Sequence, residues 1–333
     1  MAATIKDIRN ETGLSLATIS KYLNGGNVLP ENREKIDRAI DKLHYQVNEM
    51  ARGLVTNRTY TVGLIAQKIS SIFNGTLMEI IGRELRKNGY GMLICDSSDD
   101  SATEADNIRF LLNKKVDGML VIATSMDMAA VRPAVDAGVP IVFVDRWVPD
   151  SGLASVTLDN RKAAKEAVEY LIRNGHRDIA LLGSREEMTG IEREKGYRDA
   201  LEEAGIPIRE EFVFVESHTL EHGYNGMKQI LRQKEKPTAV LMTNYDINLG
   251  TVIAMNEMGV RCPEDISLIG IDDLLLPRIV KPSLTVMRQP MEEIGTAAAK
   301  LLLAEINGEE TSEKQIMFDA ELLLGNSVKN LNK

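Results

Sequence analysis

The segment 1–24, MAATIKDIRNETGLSLATISKYLN, decides the reading of the chain. Gly13 separates two short stretches with helical spacing: Ile5 and Ile8 before it, Leu14, Ile19, Tyr22 and Leu23 after it. Two helices meeting at a tight turn are a helix-turn-helix. Glycine suits the turn because it takes positive φ without steric cost. Ser15 is placed to cap the second helix by accepting from backbone N–H groups. Leu16, Ala17, Ser20, Lys21 and Asn24 are then left facing outward, a small, mildly basic surface of the kind that enters a DNA major groove.

Helix-turn-helix spacing also occurs in ordinary helical hairpins. The next segment favours a DNA-reading headpiece. Pro30 suits the first turn of a third helix over 30–44, and Ile36, Ile40 and Leu43 share one of its faces. Three helices in about forty-five residues enclose too small a core for an independent enzyme.

The full chain has 333 residues, 44% of them hydrophobic, and a net charge of −9. That size predicts more than one globular domain. The charge is divided unevenly. Residues 1–60 hold nine Lys and Arg against seven Asp and Glu; the remainder holds thirty-one against forty-two. A basic reader joined to an acidic body is expected to bind DNA through the reader alone, with strong salt dependence. The N-terminus has no basic region followed by an apolar core, and no run of about eighteen apolar residues occurs, so a cytoplasmic location with no membrane partner is expected. Cys95 and Cys262, the two cysteines, make no disulfide framework.

From Tyr60 onward, β-leaning and helical stretches alternate. Val62 to Ala66, MLIC, GMLVI, IVFV and SVTL form one run. After Asp159 the pattern restarts with IALL, FVFV, AVLM and SLIGI. Helices are expected at about 72–88, 105–113, 159–174, 193–204, 224–232 and 247–258. This predicts two similar α/β lobes with parallel sheets. Neither G-x-G-x-x-G after a strand nor G-x-x-x-x-G-K is present, which argues against a nucleotide-binding enzyme. There is no G-x-S-x-G and no zinc motif. No catalytic residue, metal or cofactor is expected, and His176 in NGHRD reads as structural. Ligands of open α/β sheets sit outside the carboxyl ends of strands. There the chain places Asp145 and Arg146 after IVFV, Asn244 after AVLMT, and Asp272 and Asp273 after SLIGI. Carboxylates and amides suit hydroxyl groups, and guanidinium groups suit acids.

The motifs, taken in order, resemble the lactose-repressor family of bacterial transcriptional regulators. TIKDI, ETGLS, ATISKYLN and NREKIDRAIDKLHY are similar to its headpiece, and QVNEMARGL followed by TYTVGLI to its hinge and first core strand. VDGMLVIA, GVPIVFVDR, VTLDN, LIRNGHRDIALLG, REKGYRDALEEAGI, PEDISLIGIDD and PSLTVMRQPMEEIG continue the match. Three departures stand out. Arg9 stands where the family has a small alanine near the second helix, Val47 where it has a proline opening the hinge, and Tyr245 where an acidic residue is common.

The resemblance implies a small all-α headpiece over 1–46, a hinge helix and linker over 47–59, and a two-lobe core over 60–330 similar to periplasmic sugar-binding proteins. Lobe one would span about 60–159 and 290–318, lobe two about 160–289 and 319–330. Leu16, Ala17 and Lys21 are expected at base edges, and Ser15, Ser20 and Asn24 at phosphates. Thr18 and, in the hinge, Asn48, Arg52 and Leu54 complete the DNA-contacting set, Leu54 as a minor-groove wedge. Effector contacts are implied at Phe73, Asp145, Arg146, Arg193, His218, Asn244, Asp272 and Gln289. The implied partners are a palindromic operator duplex, a sugar or sugar-derived effector and a second copy of the chain. The short segment after ELLLGNSV favours a dimer over a tetramer. The rival readings are a transporter-linked solute-binding protein, disfavoured by the headpiece, and a sugar-metabolising enzyme, disfavoured by the missing catalytic constellation.

Overall fold

The computed structural model describes residues 3–23, 25–45, 58–311 and 313–332. It divides into two compact units, Met1–Thr59 and Tyr60–Lys333. The expected hinge contacts Asn48, Arg52 and Leu54, together with Val47 and Asn24, lie outside the described residues.

In the first unit, α1 spans Ile5–Thr12, α2 Leu16–Leu23 and α3 Pro30–Leu43. The Thr4 N–H donates to Asp7 Oδ2 at 2.8 Å, which ties the start of α1. Gly13 closes it in the left-handed region, φ 70°, with its N–H on the Arg9 carbonyl. Ser15 Oγ accepts from the Thr18 N–H at 3.1 Å and starts α2. Ile8, Ile19, Ile36 and Ala39 are buried together, ringed by Ile5, Leu14, Tyr22, Leu23, Ile40, Leu43 and Tyr45. Arg9 is exposed. Its long side chain therefore projects outward and leaves this core undisturbed.

The second unit holds two six-stranded sheets. One takes β1 (Thr61–Ala66), β2 (Gly91–Asp96), β3 (Gly118–Val121), β4 (Ile141–Val144), β5 (Ala154–Leu158) and β11 (Gln315–Phe318), in the order β11-β5-β4-β3-β1-β2, all parallel. The other takes β6 (Ile179–Ser184), β7 (Val213–Glu216), β8 (Ala239–Met242), β9 (Ser267–Ile271), β10 (Thr285–Arg288) and β12 (Glu321–Leu323), in the order β12-β10-β9-β8-β6-β7. Only β12 runs antiparallel, against β10. Covered faces explain the unbroken apolar runs: all four residues of IVFV and of AVLM are buried. The last long helix, Met291–Asn307, buries Ile294, Ala298 and Leu302 against the first sheet, although the strand before it belongs to the second. The two sheets thus share the chain rather than follow one another along it.

Several helices begin earlier than their apolar spacing suggests, because polar caps extend them. Asp100 accepts from the Thr103 N–H and starts a helix at Ser101. Thr219 and Asn244 do the same for helices beginning at Leu220 and Tyr245. The helix expected from Arg193 begins at Met188, and Gly190 in its first turn lets it press on β6: an added Cβ would lie 2.4 Å from the Ser184 carbonyl oxygen. Among the described residues no helix is long and apolar enough to cross a membrane.

Candidate functional site

The carboxyl ends of the two sheets face one cavity of about 100 Å³. Asp145 directly follows β4 and Asp272 directly follows β9, and both aspartates are turned into the left-handed region, φ 61° and 82°. That conformation costs energy for a non-glycine residue, and aspartate is among the residues that tolerate it best. Two equivalent strand ends therefore hold a carboxylate in a strained turn at the cavity wall.

All eight effector candidates line this cavity: Phe73, Asp145, Arg146, Arg193, His218, Asn244, Asp272 and Gln289. Asp272 is held from two sides, Oδ2 accepting from the Tyr245 N–H at 3.1 Å and Oδ1 from Gln289 Nε2 at 2.7 Å. Gln289 is 4% exposed, and its Oε1 is buried without a partner, so it is free to accept from a ligand. Arg193 is 5% exposed and braced by Asn160 Oδ1 at 2.8 Å and the Thr243 carbonyl at 2.5 Å. Asn244 caps its helix through Oδ1 and donates through Nδ2 to the His218 carbonyl at 3.0 Å.

Asp273 behaves differently. It turns away from the cavity into a surface hollow with Arg288 and Glu321, so the strand-end reading of this residue is corrected. Trp147, which follows Arg146, is not part of the lining and packs against the apolar cluster that holds Phe143 and Val148. His176 is buried, bonded through Nδ1 to Thr238 Oγ1 at 2.9 Å and through Nε2 to the Lys329 carbonyl at 3.0 Å, a structural post.

A charged cluster joins the two sheets' loops across the cavity mouth. His218 Nε2 lies 3.5 Å from Asp99 Oδ2 and 3.2 Å from Arg146 Nη2, while Nδ1 lies 3.3 Å from Glu187 Oε2. Burial opposes the charged ring, but Asp99 and Glu187 outweigh it and raise the His218 pKa to about 9. Burial would raise Glu187, yet His218, Arg146 and Ser184 bring it down to about 2. The close pair of cations is tolerated because carboxylates flank it. Glu186, Glu187 and His218 bring their ligand atoms within 4.8 Å of one another; here Arg146 and the imidazolium supply the positive charge those acids attract. Desolvation pushes Asp145 up to about 6 against the pull of Arg146 and Arg193. Burial raises Asp272 as well.

The sequence reading missed Gln67, Lys68, Ser71, Asn74, Asp99, Glu187, Thr189, Thr219 and Asp246, which with Tyr245, singled out only as a departure from the family pattern, complete the lining. The strand-end rule could have found Gln67 and Lys68, which directly follow β1. The others sit on loops or first helical turns that only the fold brings together.

On the first unit, Ser15, Ala17 and Lys21 are exposed, and Leu16, Thr18 and Ser20 half-buried. The Ser15 and Thr18 hydroxyls bond each other at 2.9 Å, so the start of α2 is rigid.

Comparison with known proteins identifies the class. Residues 168–328 match the periplasmic binding protein-like domain. The transcriptional repressor PurR of Pectobacterium carotovorum subsp. carotovorum is 34% identical over 330 residues, covering 98% of this chain and 97% of that protein. The structure of the regulator CelR in complex with cellobiose has a TM-score of 0.75 at 28% identity and covers 98% of this chain and 99% of that one. The Lac repressor dimer bound to operator and an anti-inducer has a TM-score of 0.87 at 22% identity, over 99% of this chain and 100% of that one, a likeness of fold. The chain belongs to the lactose-repressor family of transcriptional regulators. That family is non-enzymatic, and its members regulate transcription.

Proposed function

We propose that this regulator is a cytoplasmic homodimer that represses transcription from a palindromic operator and is controlled by a neutral sugar held between its core lobes. The division into a headpiece over 1–46, a hinge over 47–59 and a two-lobe core is part of the proposal. Leu16, Ala17 and Lys21 read base edges, with Ser15, Thr18 and Ser20 toward the backbone. Asn24, Asn48, Arg52 and Leu54 join them, with Leu54 wedging the minor groove.

The observation that carries the effector reading is the convergence of all eight candidate side chains on one cavity between two sheet ends. The charge of its lining narrows the ligand. Five carboxylates, Asp99, Asp145, Glu187, Asp246 and Asp272, face three permanent cations, Lys68, Arg146 and Arg193, plus the His218 imidazolium. Carboxylates and cations nearly balance, so the lining offers an acidic ligand no clear surplus of positive charge. Hydroxyl groups would meet carboxylate and amide acceptors, with Phe73 and Tyr245 as apolar faces. Sugar acids and sugar phosphates are therefore the second choice. The similar regulator whose structure is a complex with cellobiose supports a sugar.

Exposed apolar side chains support the dimer. Ile69, Ile72 and Ile94 stand open on the unit's first lobe, and Leu275 and Ile279 on its second. The test is a thermal-shift screen of neutral sugars, sugar acids and sugar phosphates. A ligand at a hundred times its Kd stabilises the fold by about 2.7 kcal/mol. A hit confined to phosphorylated compounds would reject the neutral-sugar reading. Lys21→Ala should weaken operator binding by roughly 1–3 kcal/mol and relax specificity; an equal loss on every sequence would make Lys21 a phosphate contact only.

A further inference from the structure

After α2 the chain folds tightly back on the helix. Gly25 is left-handed, φ 77°, and its N–H meets the Tyr22 carbonyl at 2.9 Å; the Gly26 N–H meets the Lys21 carbonyl at 2.7 Å. A Cβ on Gly26 would lie 2.6 Å from Lys21 Cγ and 2.8 Å from Lys21 O. Only glycine allows so close a return. The return brings Val28 and Leu29 beside the outer face of α2, where Ala17, Thr18, Lys21 and Leu29 line one open hollow.

Leu29 is 64% exposed, the one large apolar side chain so open among the described residues of the headpiece. It is also the N-cap of α3, its carbonyl accepting from the Asn32 and Arg33 N–H groups, both at 3.0 Å. Caps are normally Ser, Thr, Asp or Asn, which accept through their side chains. A leucine caps nothing with its side chain, and this one is not packed into the core. Neither role explains it. Its backbone is nevertheless held firmly by Pro30 and the helix behind it, so the side chain is presented from a fixed point.

We infer that Leu29 is a specificity residue for DNA: with Ala17 it forms an apolar patch that reads the 5-methyl group of a thymine beside the bases met by α2. The thymine methyl is the apolar feature of the major-groove edge, and aliphatic side chains recognise it by contact. Continuity of the patch with the outer face of α2 selects this occupant. The inference rests on the reading of α2 as the major-groove helix.

The test uses the full-length protein. A consensus duplex is first selected from a randomised library. Each thymine is then replaced by uracil, which deletes only the methyl group. For the parent, one replacement per half-site should lower affinity about fourfold, the worth of one buried methyl. Leu29→Ala should lose a similar factor on the thymine duplex and become indifferent to that uracil. Leu29→Met should retain the discrimination, which separates loss of contact from loss of fold, as does an unchanged melting temperature for both variants. A parent indifferent to every thymine-to-uracil change, or an Ala variant with the parent's thymine-to-uracil ratio, overturns the inference. A library that yields no consensus fails differently: it rejects DNA reading by α2 itself.

Discussion

The His218 cluster makes a quantitative prediction about pH. The folded-state pKa is about 9, against an ordinary value of 6.5. A raised pKa means that the folded protein binds the proton more tightly than the unfolded chain. The resulting stability is fully present below pH 6.5 and is lost as pH rises through 9. Linkage converts the shift into about 2.5 kcal/mol at pH 7 and almost nothing at pH 10. The downward shift of Glu187 describes the same interaction from its other partner, so the two are not added. The His218 side chain is 19% exposed, and some solvent screening reduces the expectation to about 2 kcal/mol. The perturbation is His218→Gln, which removes the charge and keeps a polar side chain of comparable reach. Urea unfolding of parent and variant, followed by circular dichroism at pH 7, 8, 9 and 10, reads the difference. The parent should lead by roughly 2 kcal/mol at pH 7, and the lead should shrink steadily toward pH 10. A difference that stays constant with pH would refute the reasoning, because it would mean that the ring contributes by packing and not through its proton.

Three further outcomes follow, two from the site and one from the surface. Asp145, with a pKa near 6, accepts ligand hydroxyls best when ionised, so sugar affinity should be flat above pH 7 and fall below pH 6; Asp145→Asn should abolish that dependence in a titration followed by calorimetry. Arg193→Ala removes the buried cation that faces Asp145 and Asp272, and should cost at least tenfold in sugar affinity, about 1.4 kcal/mol; undiminished binding would take Arg193 out of the site. Ile279→Asp places a charge on the most exposed of the core's apolar side chains and should shift the protein toward monomer by light scattering, whereas an unchanged dimer would move the interface elsewhere.

The sequence carried those parts of the fold in which local chemistry acts alone. Gly13, Ser15 and the apolar spacing of Ile8, Ile19 and Ile36 suffice for the three-helix unit, since its core uses only those side chains and their neighbours. The strands were legible because parallel sheets covered on both faces need unbroken apolar runs. Helix starts were less so: Asp100, Thr219 and Asn244 extend helices into polar sequence where no apolar period is visible. In the cavity, Asp145 and Asp272 could be found because they directly follow strands, and Asn244 because it lies two residues beyond one. Asp273 satisfied the same rule and failed, since the left-handed turn at Asp272 sends the next residue to the opposite side. Asp99 and Glu187 could not be found this way. They lie eighty-eight positions apart, and only the closure of two sheets around His218 makes them neighbours.

The central claim is that a ligand in the core cavity governs how the headpiece holds DNA. The direct measurement is a fluorescence-anisotropy titration of the selected operator duplex with the full-length protein, with and without the sugar that best stabilises it. The same titration is made with Asp145→Asn, a change that preserves size and removes one acceptor charge. The account predicts at least a tenfold change in operator affinity for the parent, in either direction, and little or none for the variant at the same sugar concentration. An unchanged operator affinity in a parent saturated with sugar, or an equal change in the variant, would contradict it.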